Sequence, residues 1–377
     1  NVGDTHLWAV WHGLKPMNYY RKRMTRFCSE FGFESLPDMK SIDIFAEHKG
    51  NYSLNDKVFN AHQKCANGND KMVYYVASRF NLPKNFKDMV YLSQVTQNEC
   101  IADATEHWRR NKGRCNGSMY WQLNDCWGVC SWSSIDYYGN YKALQYGARH
   151  FNAPVSVSIE NTEEYIKLFV LNDLKEKQDV TVTYDIFDFV SGTKQSDKKD
   201  VSIDAVKNEL VFELDVKSLA KAYDLKRTGV AVKLFKDGEL LQQKTVLFDK
   251  EKKLDLPKAK LKTRIEIKED RLDITVKSDA YARLVKLESA DSVLPFSDNF
   301  FDILPNESKK VTIYKDSSMS LRKLAESITV YSLCDIKFSK DKIDTLLKKA
   351  KVFISPVNIS NALYHGKIAK DVELCDD

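Results

Sequence analysis

Apolar positions recur with two different periods along the chain, and the change falls near residue 153. Before it, short apolar runs alternate with amphipathic stretches. Residues 7–11 form an apolar run that predicts a buried strand. Residues 23–29, leading into Glu30, predict a second strand. Helices are expected over 56–62 and 70–80, the latter ending before Leu82-Pro83. A longer helix is expected over 90–108, with Val90, Leu92, Val95, Ile101, Ala104 and Trp108 on or near one face. It runs into Arg109-Arg110 and Gly113, which suit a helix C-terminus. A third strand is expected over 118–123 and a closing helix over 141–150. Strands separated by helices in this way suit a parallel α/β architecture.

Beyond 154 the period falls to two. Strands are expected over 155–160, 165–171, 180–189, 199–203, 210–216, 230–235 and 240–248, with Asp237-Gly238 as a hairpin turn. Seven such strands read as an immunoglobulin-like sandwich. Residues 250–260, around Pro257, read as a charged linker. A second β domain follows, with strands over 261–267, 272–276, 282–287, 311–314 and 328–333. A short basic helix is expected over 340–351. The pattern divides the chain into residues 1–153, 154–255 and 256–377, the last a second sandwich with a tail.

Composition sharpens the division. All six Trp lie at or before position 132, and ten of the fourteen Gly fall in the first 150 residues. The chain of 377 residues carries 58 Lys and Arg against 53 Asp and Glu. A net charge of +5 does not call for nucleic acid as a partner. No run of 18 apolar residues would span a membrane as a helix, so no membrane partner is expected either. The eight Cys make no zinc pattern, and a chain this long needs no disulfides. Free thiols in a reducing cytoplasm are the expectation. No metal or cofactor is expected. GxGxxG, P-loop, GxSxG and HExxH motifs are all absent.

Three local clusters could carry chemistry. The first is Phe27-Cys28-Ser29-Glu30-Phe31-Gly32-Phe33. Glu30 is either an ion-pair partner or cap, or a carboxylate at the carboxyl end of a strand, where β/α-barrel enzymes place catalytic groups. The second is Tyr120-Trp121-Gln122-Leu123-Asn124-Asp125-Cys126-Trp127. An extended chain would put Trp121, Leu123 and Asp125 on one side. A Trp covering a pyranose face, with an acid or amide (Asn124, Asp125) taking hydroxyls, suits a sugar site. Trp121 as core and Asp125 as a turn cap is the alternative. The third is His6-Leu7-Trp8-Ala9-Val10-Trp11-His12-Gly13, where Trp8, Trp11 and His12 could line a pocket or be structural. Asn98-Glu99 imitates the Asn-Glu pair of barrel glycosidases, but falls inside the long helix and reads as an ordinary helical position.

These residues resemble a known family. Gly3 to Gly13, Arg26 to Ser35, Tyr91-Leu92-Ser93-Gln94, Glu106 to Arg110, Tyr120 to Trp127 and Ser131 to Gly139 resemble β-mannosidases of the second glycoside hydrolase family. Pro295 to Asp302 looks like the C-terminal immunoglobulin-like domain of the same enzymes. Gly128 stands where the family often has Pro. The resemblance implies the C-terminal part of a (β/α)8 TIM barrel followed by two immunoglobulin-like sandwiches. It implies a retaining exo-hydrolase that removes terminal β-linked mannose from an oligosaccharide. Glu30 matches the position of the nucleophile, which attacks the anomeric carbon. The acid/base Glu of the family precedes the nucleophile, and no Asn-Glu precedes Glu30 here. The expectation is therefore a C-terminal fragment whose partner is the missing N-terminal part of the same polypeptide, inactive alone. The oligomeric state is left open. Sister enzymes acting on β-glucosaminides, galactosides or glucuronides share these motifs, and a non-catalytic carbohydrate-binding or scaffold protein is the contrasting reading.

Overall fold

The structure, a computed structural model, describes residues 3–46, 52–54, 56–290, 292, 294–315 and 319–339. The basic helix expected over 340–351 lies outside the described residues. The described residues divide into two compact units, one of residues 3–104, 117–145 and 336–339, the other of 105–116 and 146–335.

In the first unit a parallel sheet of three short strands carries β2 (Cys28–Gly32) between β1 (Thr5–His6) and β3 (Ser118–Trp121). Helices α1 (Met39–Phe45), α2 (Lys57–Ala61), α3 (Gly68–Arg79) and α4 (Phe86–Arg110) separate β2 from β3, and α5 (Ala143–Phe151) follows. Of these five helices α1 had no counterpart in the sequence pattern; it starts at Asp38, whose side chain accepts from the Lys40 N–H.

Two strand expectations need correction. Residues 7–11 do not form a strand. Leu7 donates the last ladder bond, to the Glu30 carbonyl, and the chain then turns, with His12 N–H bonded to the Trp8 carbonyl. Buried Leu7, Val10 and Trp11 are spaced i, i+3, i+4, the spacing of one helical turn rather than a strand. Gly13 closes the turn, because a Cβ there would lie 2.7 Å from the Ala9 carbonyl oxygen. The second expected strand is shifted: β2 begins at Cys28 and runs through Glu30, because ladder partners on both sides, His6 for Glu30 and Trp121 for Gly32, hold it extended.

Helix α4 packs the segment that leaves β2. Its expected apolar face is buried, and so are Ser93, Gln94, Thr96 and Gln97. These polar groups are not surface residues. Gln97 Nε2 donates to the carbonyls of Phe33 (2.7 Å) and Trp132 (3.0 Å), and Ser35 Oγ donates to Gln97 Oε1 at 2.7 Å. Leu36 is held at both ends, its N–H on Ser93 Oγ and its carbonyl accepting from Gln94 Nε2. A buried, bonded amide is tolerated where an unbonded one would cost its desolvation.

The second unit is built from two pairs of sheets. β4 (Val155–Asn161), β5 (Tyr165–Asn172) and β8 (Lys207–Asp215) face a sheet ordered β10-β9-β6-β7, with β6 (Gln178–Asp188), β7 (Gly192–Ile203), β9 (Thr228–Lys236) and β10 (Glu239–Leu247). Alternating inward residues such as Ile166, Leu168, Val170, Val180, Val182 and Val232 fill the core between them. Helix α6 (Val216–Ala222) caps one end. The following sheets are β11 (Leu261–Ile267), β12 (Arg271–Ser278) and β15 (Ser308–Tyr314), and β14 (Phe301–Ile303), β13 (Ala282–Ser289) and β16 (Ile328–Tyr331), with α7 (Leu321–Ser327) before β16. The expected linker is not loosely hydrated: a 3-10 turn over Glu251–Lys253 buries Glu251.

Candidate active site

Glu30 stands in β2 with its side chain about 28% exposed. Trp8 Nε1 donates to Glu30 Oε1 at 2.6 Å, and His6 Nδ1 lies 3.7 Å from Oε2. The backbone explains how Trp8 reaches it. The turn after β1 carries the indole back over Gly32, where a Cβ would meet the Trp8 ring at 2.8 Å and the Trp121 carbonyl oxygen at 2.5 Å. Glycine at 32 is what lets the ring lie beside the carboxylate.

Around Trp8 the aromatic wall continues. Its ring centroid is 5.0 Å from His12 and 5.8 Å from Trp132, and His12 is 6.2 Å from Trp132. Trp132 was not among the expected site residues. The signal was present as a Trp between two serines, but no spacing argument joined it to Trp8. Burial, and then Lys71, hold His12 below its ordinary pKa, so it is the neutral ring that faces the site.

The remaining candidates separate. Trp121 is 43% exposed at the end of β3, beside Gly32 of β2, and Asn124 is exposed. Asp125 is not on their side, because the chain leaves the strand at Trp121 and turns. Asp125 is buried, its Oδ1 accepting from Gln122 Nε2 (2.9 Å) and Ser131 Oγ (2.7 Å). It ties the loop rather than facing solvent. Trp11 is likewise no pocket wall: it is fully buried, packed on Phe33 at 5.0 Å and Tyr75 at 6.2 Å. Asn98-Glu99 lies in α4 as expected, and Glu99 pairs with Arg79.

Beneath the wall is a charged set that the pattern of the sequence did not suggest. Glu34 is fully buried and neither carboxyl oxygen has a hydrogen-bond partner among the described residues. Gly68 leaves room for it, since a Cβ there would begin 2.4 Å from Glu34 Oε2. Burial, and to a lesser degree Asp125, push the Glu34 carboxyl well above its ordinary pKa, against the pull of Lys142 and Lys71. Lys142 is also buried. Its Nζ donates to the carbonyls of Ser35 and Ser131, each at 3.2 Å, and so straddles the bridge that pairs these two residues. Desolvation pulls its pKa down to about 8. Among the described residues no group of three His, Cys, Asp or Glu side chains could hold a metal ion.

Family models match two stretches of the chain. Residues 164–253 match a "Mannosidase Ig/CBM-like domain" and residues 256–336 an "Ig-fold domain". The β-mannosidase of Bos taurus is 29% identical over 357 residues, covering 89% of this chain and 40% of its own length. A crystal structure of the β-D-mannosidase from Dictyoglomus thermophilum superposes with a TM-score of 0.81 at 29% identity, over 88% of this chain and 40% of that one. This chain resembles the C-terminal portion of a β-mannosidase of glycoside hydrolase family 2. β-Mannosidase B of Aspergillus clavatus is 27% identical over 83% of the chain and 39% of its own length. The exo-chitosanase of Amycolatopsis orientalis shares the fold, with a TM-score of 0.62 at 14% identity over 89% of this chain and 45% of its own. The β-mannosidase likeness supports kinship with the glycoside hydrolases, and the two sandwiches are immunoglobulin-like. The chain spans about 40% of the length of the curated relatives it matches.

Proposed function

We propose that this chain supplies the nucleophile half of a retaining exo-β-mannosidase, with Glu30 as nucleophile and β1–β3 as the last strands of a β/α barrel. The observation that carries the reading is the Glu30 carboxylate, part-exposed in the middle of a parallel strand and bonded to Trp8 Nε1 within an aromatic wall. A Glu30 oxygen attacks the anomeric carbon while the glycosidic oxygen leaves with a proton from a second carboxylic acid. Water, deprotonated by that same group, then displaces Glu30 and restores the anomeric configuration. Trp8 fixes the direction of attack, and exposed Trp121 covers one face of the sugar. Exposed Asn124 is assigned to a sugar hydroxyl in this reading. Glu99, in the chain's Asn98-Glu99 pair, is held in α4 by Arg79 and is not assigned the acid/base role.

The test uses the polypeptide that carries this chain. Glu30→Gln is expected to lower kcat on nitrophenyl β-mannoside by roughly 10³-fold or more while leaving the thermal transition in place. A 2-deoxy-2-fluoro mannoside should label Glu30, located by peptide mass spectrometry. A label on another residue overturns the assignment. Faster turnover of a β-glucosaminide, galactoside or glucuronide in a nitrophenyl panel overturns the sugar.

A further inference from the structure

The Trp8 indole holds one oxygen of Glu30 and leaves the other to a neighbour that the reaction above does not use. His6, at the end of β1, lies opposite Glu30 in the ladder. Its Nδ1 is 3.7 Å from Glu30 Oε2, and its Nε2 is 3.8 Å from Asp4 Oδ2. The ring therefore stands between two carboxylates, one at each nitrogen. A neutral imidazole has a lone pair on one nitrogen and would turn it on an acid, whereas the imidazolium presents a donor to both.

The backbone explains how Asp4 comes to serve this ring. Thr5 is opposite Cys28 and His6 is opposite Glu30, so the register slips and Ser29 is passed over on the β1 side. The Ser29 N–H donates instead to Asp4 Oδ1 at 3.2 Å, and the Thr5 N–H donates to the same oxygen at 2.6 Å. Main-chain donors thus take Oδ1, and Oδ2 is left for His6. An irregularity of this kind in a ladder re-aims side chains beside a site. The order Asp4, His6, Glu30 is set in this way although the first two side chains are 58% and 57% exposed.

Exposed charge pairs add little to folding. A pair whose charge vanishes and returns during a reaction acts differently, because its effect falls between the reacting states. We infer that His6, anchored by Asp4, is a positioning residue that favours release of Glu30 from the sugar, the second of the two displacements. The inference rests on the glycosidase reading above. In the first displacement a Glu30 oxygen gives an electron pair to the anomeric carbon, and the charge facing His6 is lost. In the second, a water oxygen bonds to that carbon and its proton goes to the acid/base carboxylate. The bond to Glu30 breaks, and its electron pair returns to the carboxylate. The imidazolium regains its partner only in this step, so it holds back attack and helps departure.

In the polypeptide that carries this chain, 2-deoxy-2-fluoro-β-mannosyl fluoride separates the two steps. Labelling of Glu30 reports the first, and recovery of activity after the reagent is removed reports the second. His6→Ala is expected to raise the ratio of labelling to recovery rate constants about fivefold, and His6→Gln by less. Asp4→Asn should move the ratio the same way and add nothing on top of His6→Ala. A ratio that falls, or that stays unchanged as a purely structural role would leave it, overturns the inference. A second arm needs no turnover. Diethyl pyrocarbonate acylates the unprotonated imidazole, and peptide mass spectrometry at constant pH gives the rate at His6. That rate is expected to rise about threefold in Glu30→Gln and in Asp4→Asn. An unchanged rate in either variant overturns the chain of charges, whatever the turnover. No label on Glu30 overturns the enzymatic reading and with it the role in release, while faster acylation in both variants keeps the Asp4–His6–Glu30 chain.

Discussion

Glu34 shows how far the chemistry of one residue depends on its surroundings. It lies four positions past Glu30, yet it is fully buried and its carboxyl oxygens have no hydrogen-bond partner among the described residues. Its folded pKa lies well above the ordinary 4.5, chiefly through burial. Below about pH 4.5 both folded and unfolded chains carry the proton, and the group costs no stability. As pH rises from there toward the folded pKa, the unfolded chain releases the proton and the folded chain keeps it. The folded state therefore loses relative stability over that interval. Glu34→Gln keeps the shape and removes the titration. The urea midpoint of the variant, measured against the parent, is expected to rise as the pH is raised above about 4.5. A difference independent of pH would show that Glu34 does not carry this linkage. Little of this was legible in the sequence. Glu34 reads as one more polar residue in Phe33-Glu34-Ser35, and only the approach of Gly68, more than thirty positions away, explains where the carboxyl goes. Glu30, by contrast, stands out in the sequence, because an acid ending an apolar run and followed by an aromatic and a glycine is a local signal.

At the scale of elements, α4 is the part whose position the sequence revealed most clearly and whose role it concealed. Its apolar period marked the helix and its buried face. The same period is silent on Ser93, Gln94 and Gln97, which hold the exit of β2. Hydrophobic periodicity cannot separate a polar residue in water from one bonded to a buried backbone. Gln97→Leu preserves volume and helix propensity but leaves the Phe33 and Trp132 carbonyls and Ser35 Oγ without this partner. It is expected to cost about 1–3 kcal/mol in urea unfolding, and to lower activity through displaced Glu30 and Trp132. A variant as stable as the parent would show that other groups, or water, take over these bonds. The opposite error occurred at 7–11, where consecutive apolar residues read as a strand. There the decisive fact was the closing turn at Gly13, set by backbone contact with Ala9. The strands of both sandwiches were better marked, since alternation over seven or more residues leaves little freedom of register. β14, three residues long, was too short to register.

At the scale of the second unit, two sandwiches meet over Phe187, Phe189, Ala231, Tyr281 and Leu304. Beside this apolar contact lies a buried polar one. Arg283 donates to Asp302 Oδ2 at 2.8 Å and to Glu251 Oε1 at 3.1 Å, and Tyr281 Oη donates to the same Asp302 oxygen at 2.8 Å. Thr245 of β10 also donates to it. Arg283→Met removes the cation shared by Asp302 and Glu251 and is expected to cost about 3–5 kcal/mol. Calorimetry on the polypeptide that carries this chain should show the unit melting earlier, and an unchanged transition would argue that the cluster is not coupled to folding. Composition alone could not foresee this. It marked residues 250–260 as a charged linker, and one acid among them, Glu251, is buried and bonded to Arg283. The stretch is also tied along its backbone, with Asp255 N–H on the Lys226 carbonyl and Lys260 N–H on Asp279 Oδ1. A protease that cuts after lysine needs several residues in extended, accessible form. In this segment the lysines advertise a cleavage site while the backbone withholds it, so the two sandwiches should leave a limited digest as one piece.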